Sequence, residues 1–167
     1  MATTNIRIEV ELTKGSIKAA IAEVNELIEK IETAEKLLVE KLADIGVTQA
    51  RIDFPKAYYL GDNTVDLDVV PVDGGCMIVA SGENVGFLEF GAGKTFGYGH
   101  PEPQGFGPGT WPEGHRQNKK YANWENPAGW HIPGGERTWG NRPSMAMYNA
   151  KEMIIKSFSE VAREVFQ

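Results

Sequence analysis

The stretch from Ser16 to Ile45, SIKAAIAEVNELIEKIETAEKLLVEKLADI, places Ile17, Ile21, Val24, Ile28, Ile31, Ala34, Leu38, Leu42 and Ile45 at steps of three and four. Such steps gather side chains on one stripe of an α-helix, and Lys and Glu occupy the rest of the surface. The spacing therefore predicts a long helix. Thr13 or Ser16 can cap its start, and Gly46 is a natural left-handed stop. Thirty residues of helix run about 45 Å, more than the width of a small domain. A stripe lying across the chain's own sheet is the simpler reading; a stripe that partly meets another subunit is the alternative.

Upstream, Ile6, Ile8, Val10 and Leu12 alternate with Arg7, Glu9 and Glu11, a period of two that predicts a half-buried strand or an edge arm. Downstream come short β-type segments. Val47 to Phe54 carries Ala50, Ile52 and Phe54 on one face. Thr64 to Val72 alternates Val65, Leu67 and Val69 with Asp66 and Asp68. Cys76 to Ala80 is apolar on both faces, and Val85 to Phe90 closes the set. Asp73-Gly74-Gly75 and Ser81-Gly82-Glu83-Asn84 supply turn chemistry between them, so an antiparallel meander is expected. After Arg142-Pro143-Ser144, a helix start with proline in its first turn, Met147, Tyr148, Ile154, Ile155, Phe158, Val161, Ala162 and Val165 form a second helical stripe. The fold class read from this order is α+β: one domain over 1–167, its antiparallel sheet packed by a long N-terminal and a C-terminal helix.

Residues 91–143 differ in kind. They hold twelve of the nineteen glycines, seven of the nine prolines, all four tryptophans and all three histidines, and no helical or strand period survives. Disordered segments are poor in aromatics, so Trp111, Trp124, Trp130 and Trp139 call for shelter, either over the chain's own sheet or as anchors in a subunit interface. A loop this long in a compact domain is usually functional.

Composition narrows the function classes. In 167 residues, 41% are hydrophobic and 24% charged, as in an ordinary globular domain. A net charge of −6 argues against tight binding to phosphate backbones. No apolar run spans a membrane, and MATTNIRIEVEL has no basic segment leading into an apolar core, so no signal peptide is read there. Cys76, the single cysteine, excludes an internal disulfide and fits a reducing cytoplasm.

Catalytic constellations are thin. His100, His115 and His131 are too irregularly spaced for a helical zinc pair, although a loop-built metal site stays open. The glycines at 91, 93, 97 and 99 are followed by Pro101, Pro103 and Pro108 instead of the helix a phosphate loop needs. Cys76 reads as an inert core thiol. Glu89 with Asp66 or Asp68 would form a carboxylate pair of the glycosidase kind, yet strand faces turned to water explain the aspartates. For Glu89, a turn cap or an ion pair with a base such as Arg142 outweighs a catalytic role.

Gly86-Phe87-Leu88-Glu89-Phe90-Gly91-Ala92-Gly93, His100-Pro101, the Trp/Gly-rich stretch and Arg142-Pro143-Ser144-Met145-Ala146-Met147-Tyr148-Asn149-Ala150 together carry a resemblance. The sequence resembles the tailed-phage neck and tail-component family typified by the HK-ninety-seven gene-ten product. Members show a strand ending Y/F-I/L-E-F-G-T/A-G, a variable Gly/Trp loop and an R-P-F-M-x-x-A entry to a C-terminal helix. Where they carry an A-P-x-x-T-G-x-L-x-x-S-I hairpin, this chain reads Tyr59-Leu60-Gly61-Asp62-Asn63-Thr64-Val65-Asp66-Leu67. The resemblance implies a virion protein, assembled in the host cytoplasm, that joins head to tail or terminates the tail as a ring of copies. Its neighbours would be portal-side and tail-tube-side proteins, with DNA passing through the lumen unbound. It implies no catalysis and no cofactor. The expected interface residues are Phe87, Glu89, Phe90, Tyr98 and His100, the four tryptophans, and Arg142, Pro143 and Met147. The reading from another class is a metal-dependent or wall-degrading enzyme using His100, His115, His131 and Glu89. A third is a carbohydrate- or peptide-binding module with stacking tryptophans.

Overall fold

The structure, a computed structural model, describes residues 13–57, 63–91, 100–101 and 140–167, together with the backbone of 130–131 and 137–138. The strand expected over residues 6–12 and most of the 91–143 loop lie outside the described residues. The architecture is α+β, as the order of patterns implied.

Helix α1 runs Lys14–Asp53, 40 residues and about 60 Å. Thr13 caps it: its hydroxyl accepts the Ser16 N–H at 3.2 Å. Gly46 does not stop it. A Cβ built on Gly46 would lie 2.5 Å from Ile78 Cδ1 and 2.7 Å from Ile154 Cδ1, so the glycine sits where strand and helix crowd together. Residues 47–53, expected as β structure, continue the helix. The burial pattern shows why: Ala50 and Phe54, four apart, are 0% and 5% exposed, whereas Ile52 between them is 53% exposed. A strand would have put all three on one face. The helix tightens into a 3-10 turn at Phe54–Lys56, because Pro55 has no N–H to continue the ladder.

Strands β1 (Asp66–Val72) and β2 (Gly75–Ser81) form an antiparallel hairpin, in register from Asp66↔Ser81 to Val72↔Gly75. Gly74, at φ +74°, takes the left-handed position of its turn. Among the described residues this sheet has two strands, because Val85–Phe90, expected as the next strand, is the short helix α2. Leu88 and Glu89 explain the difference. They are adjacent and both buried, at 1% and 5% exposure, which the alternation of a strand forbids and a helical turn permits. Inside the loop, Trp130–His131 (β3) and Arg137–Thr138 (β4) pair antiparallel, a small ladder where no strand period was visible.

Helix α3, Ala146–Val165, packs on α1. Its start lies by the end of α1, where Asn149 Nδ2 donates to Asp53 Oδ2 at 2.8 Å. Its end lies by Lys41, whose Nζ is 2.5 Å from Glu164 Oε1. The two helices thus run antiparallel, and small side chains let them approach: Ala43, Gly46 and Ala50 on α1, Ala146 and Ala150 on α3, all buried. Of the expected α3 stripe, Val161 is buried, but Ile155 and Phe158 are 62% and 49% exposed. The core proper is Ala50, Phe54, Ala57, Leu88, Ala146 and Ala150, with Val65, Leu67, Ala80, Val85 and Met147 against it. It occupies the end of the molecule where α1 stops and α3 begins.

Candidate functional site

A helix start leaves backbone N–H groups without intrahelical acceptors, and a carboxylate is their best partner. At the start of α3 that partner is Glu89, supplied from α2. Glu89 Oε2 accepts the Met147 N–H at 2.9 Å and Oε1 accepts the Tyr148 N–H at 3.0 Å. His100 Nε2 lies 3.1 Å from Oε1, and both side chains are nearly sealed, at 5% exposure for His100 and 6% for Glu89. The proton for this bond sits on Nε2 in the tautomer that donates to the carboxylate. The His100 ring is held between Phe90, centroids 4.6 Å apart, and Tyr148, 5.7 Å apart and edge-on.

The backbone completes the junction. Met145 adopts a left-handed conformation, φ 54° and ψ 31°, which an L-residue enters at a cost of roughly 1 kcal/mol. That turn aims the first N–H groups of α3 at Glu89. Ser144 N–H donates to Leu88 O at 2.7 Å and Met145 N–H to Glu89 O at 3.2 Å. Asn141 Nδ2 donates to Phe87 O at 2.7 Å. Gly91, at φ +76°, presses so close that an added Cβ would meet Pro143 N at 2.8 Å and Asn141 O at 2.9 Å. The two ends of the 91–143 loop are therefore clamped together, and His100 adds a third attachment near its start.

A second buried carboxylate anchors the same corner. Asp53, 1% exposed, accepts from Gln49 Nε2 at 2.7 Å and Asn149 Nδ2 at 2.8 Å, and pairs with Lys56. Burial, the largest single influence, pushes its pKa up, but the hydrogen bonds from Lys56, Gln49 and Asn149 together outweigh it and hold the carboxyl below its ordinary range. Sequence reading missed Asp53. The available signal was an aspartate in step with the buried Ala50, flanked by Gln49 and Lys56.

The expected site residues fall into four groups. Glu89 and His100 are together and buried, Phe90 packs on His100, and Met147 flanks the core. Arg142 is exposed and is not the partner of Glu89. Pro143 and Phe87 are half-buried at the clamp. Tyr98, His115, Trp111, Trp124 and Trp139 lie outside the described residues, and of Trp130 and His131 only the β3 backbone is described. Asp66 and Asp68 are exposed on β1, where with Arg51, Val65, Leu67 and Ser81 they line an open hollow of about 490 Å³. Glu89 is not part of that hollow. Among the described residues no three His, Cys, Asp or Glu side chains are placed to hold a metal ion. Chemically, the Glu89 junction positions the chain: its oxygens are taken by two backbone donors and an imidazole.

Compared with family models, with curated proteins and with solved structures, the chain matches none.

Proposed function

We propose that the chain is a structural virion subunit of a tailed phage, acting in a neck or tail-terminator ring, with the 91–143 loop as its contact element. One observation carries the reading. Two of the stretches that bear the family resemblance, Gly86–Gly93 through its described residues and Arg142–Ala150, are some fifty residues apart in sequence yet form a single hydrogen-bonded junction through Leu88 and Glu89. A signature split across a long loop makes physical sense when its work is to close that loop. Closing so long a loop costs conformational entropy that grows with its length, and buried hydrogen bonds offset it. The aromatic residues within the loop suit anchoring in a protein interface, where Trp and Tyr are enriched. On this reading Glu89, His100 and Met147 act from inside the subunit by fixing the loop's base, and the contacting surface is left to the loop and to exposed Arg142. No helix among the described residues is long and apolar enough to cross a membrane.

The test is assembly. Purified protein at tens of micromolar is examined by light scattering and negative-stain microscopy, alone and with isolated tail tubes or connectors. Rings, or a cap of density at a tube or connector end, are expected. Protein that remains free of both and forms no ring refutes the proposal. Stoichiometric zinc lost on His115→Ala or His131→Ala would favour the enzymatic alternative instead.

A further inference from the structure

Beyond Lys41, where α3 ends, the N-terminal part of α1 projects without α3 beside it. A solvated helix should be polar all round, but this one is not. Ile17, Ile21, Val24, Ile28 and Ile31 are 43, 56, 40, 47 and 48% exposed and lie on one stripe. The steps, four and three in strict alternation, continue through Glu35 to Leu38, Leu42 and Ile45. That is a heptad seam with period 3.5, the pattern of a coiled coil, and it starts well before the part of α1 that α3 and β2 cover.

We propose that residues 14–38 of α1 pair with the same segment of a second copy of this chain as an antiparallel two-helix coiled coil. Charge and length select this occupant and direction. In a parallel pair, equivalent seam positions meet, so Glu35 would face the partner's Glu35 within an apolar seam, and the flanking contacts would join Leu27 to the partner's Glu32. In the antiparallel pair the layers are Ile21 with the partner's Ile31, Val24 with the partner's Ile28, and their two-fold equivalents. Glu35 then falls at the end of the coil, opposite the partner's Ile17 and near the partner's Lys14 and the partner's Lys18. Lys18 comes beside the partner's Glu32, twice by symmetry, and Leu27 meets its own copy across the dyad. The centre of this register is residue 26, which is also the midpoint of the uncovered arm. Two arms of about 36 Å thus overlap end to end and stop short of Lys41, where the end of α3 covers α1. Shifting the register by a heptad in either direction shortens the overlap or buries Glu35 against Val24. A two-fold contact of this kind is isologous and closes on itself. It uses neither the Glu89 junction nor the loop, so it stands independently of the virion reading.

The full chain is tested by analytical ultracentrifugation at 5–50 μM, a range of roughly that order being suited to a coil of this length. A mass of twice the chain is expected, or an even multiple if rings also form. Ile28→Asp, a change at an exposed position, should halve that mass while circular dichroism of the remaining fold persists. Direction is read by oxidative cross-linking in a Cys76→Ser background. Asn25→Cys should link to its own copy and Ile28→Cys should not, since a parallel coil gives the reverse. Lys18→Glu should weaken the dimer about tenfold, and adding Glu32→Lys should restore it. A monomer at 50 μM, a dimer indifferent to Ile28→Asp, or linkage through Ile28→Cys alone would each overturn the proposal.

Discussion

Replacing Glu89 by glutamine keeps the side chain's size and one of its oxygens, so it isolates the second acceptor. Oε1 serves both Tyr148 N–H and His100, whereas Oε2 serves Met147 N–H alone. The amide therefore settles with its oxygen at the Oε1 position and its NH₂ pointing at the Met147 N–H, donor against donor. A buried donor left without an acceptor costs about 1–3 kcal/mol, and loss of charge at a helix N-terminus about 0.3–1 kcal/mol more. Glu89→Gln should thus destabilise by about 2–3 kcal/mol. Glu89→Ala abandons both N–H groups and leaves a void at a 5% exposed site, for about 3–4 kcal/mol. With a urea slope of about 2 kcal/mol/M, these become midpoint decreases of roughly 1–2 M. Urea titration followed by far-UV circular dichroism measures the total. Hydrogen exchange localises it, since the Met147 and Tyr148 amides should lose protection before the middle of α3 does. If Glu89→Gln unfolds at the wild-type midpoint with those two amides equally protected, the capping account fails.

Asp53 gives a pH signature. Its folded-state pKa is depressed, so its contribution is complete above the ordinary value of 3.8 and is lost as the pH falls through the lower folded value. Asp53→Asn should cost about 2–3 kcal/mol at pH 7, and the gap from wild type should narrow below pH 3.8; a gap independent of pH would contradict this. At Gly46, a leucine must displace Ile78 and Ile154, so Gly46→Leu should lose about 1–3 kcal/mol in thermal or urea unfolding in spite of leucine's better helix propensity. An unchanged or raised melting temperature would mean that the α1–β2–α3 crossing is looser than its geometry indicates.

What residue order alone determined was the set of strongly periodic or turn-marked elements. The Ile17–Ile45 stripe and the Asp73-Gly74 hairpin each depend on neighbours a few residues away, and the local pattern suffices to specify them, whereas Pro143, expected in the first turn of α3, lies ahead of its start at Ala146. Three features were decided only by contacts distant in sequence. Gly46 has the local chemistry of a stop, but Ile78 and Ile154 need its missing Cβ, so the helix passes through it. Val85–Phe90 is too short for a period to discriminate strand from helix, and only the need to bury Leu88 and Glu89 on one side settles it as helical. The pairing of Glu89 with the Met147 and Tyr148 amides and with His100, and of Asp53 with Asn149, joins segments whose separation no local rule spans. A buried charge must find donors wherever the fold brings them, so its role in the chain is a property of the tertiary structure, while the pattern of a helix surface is already written in its own sequence.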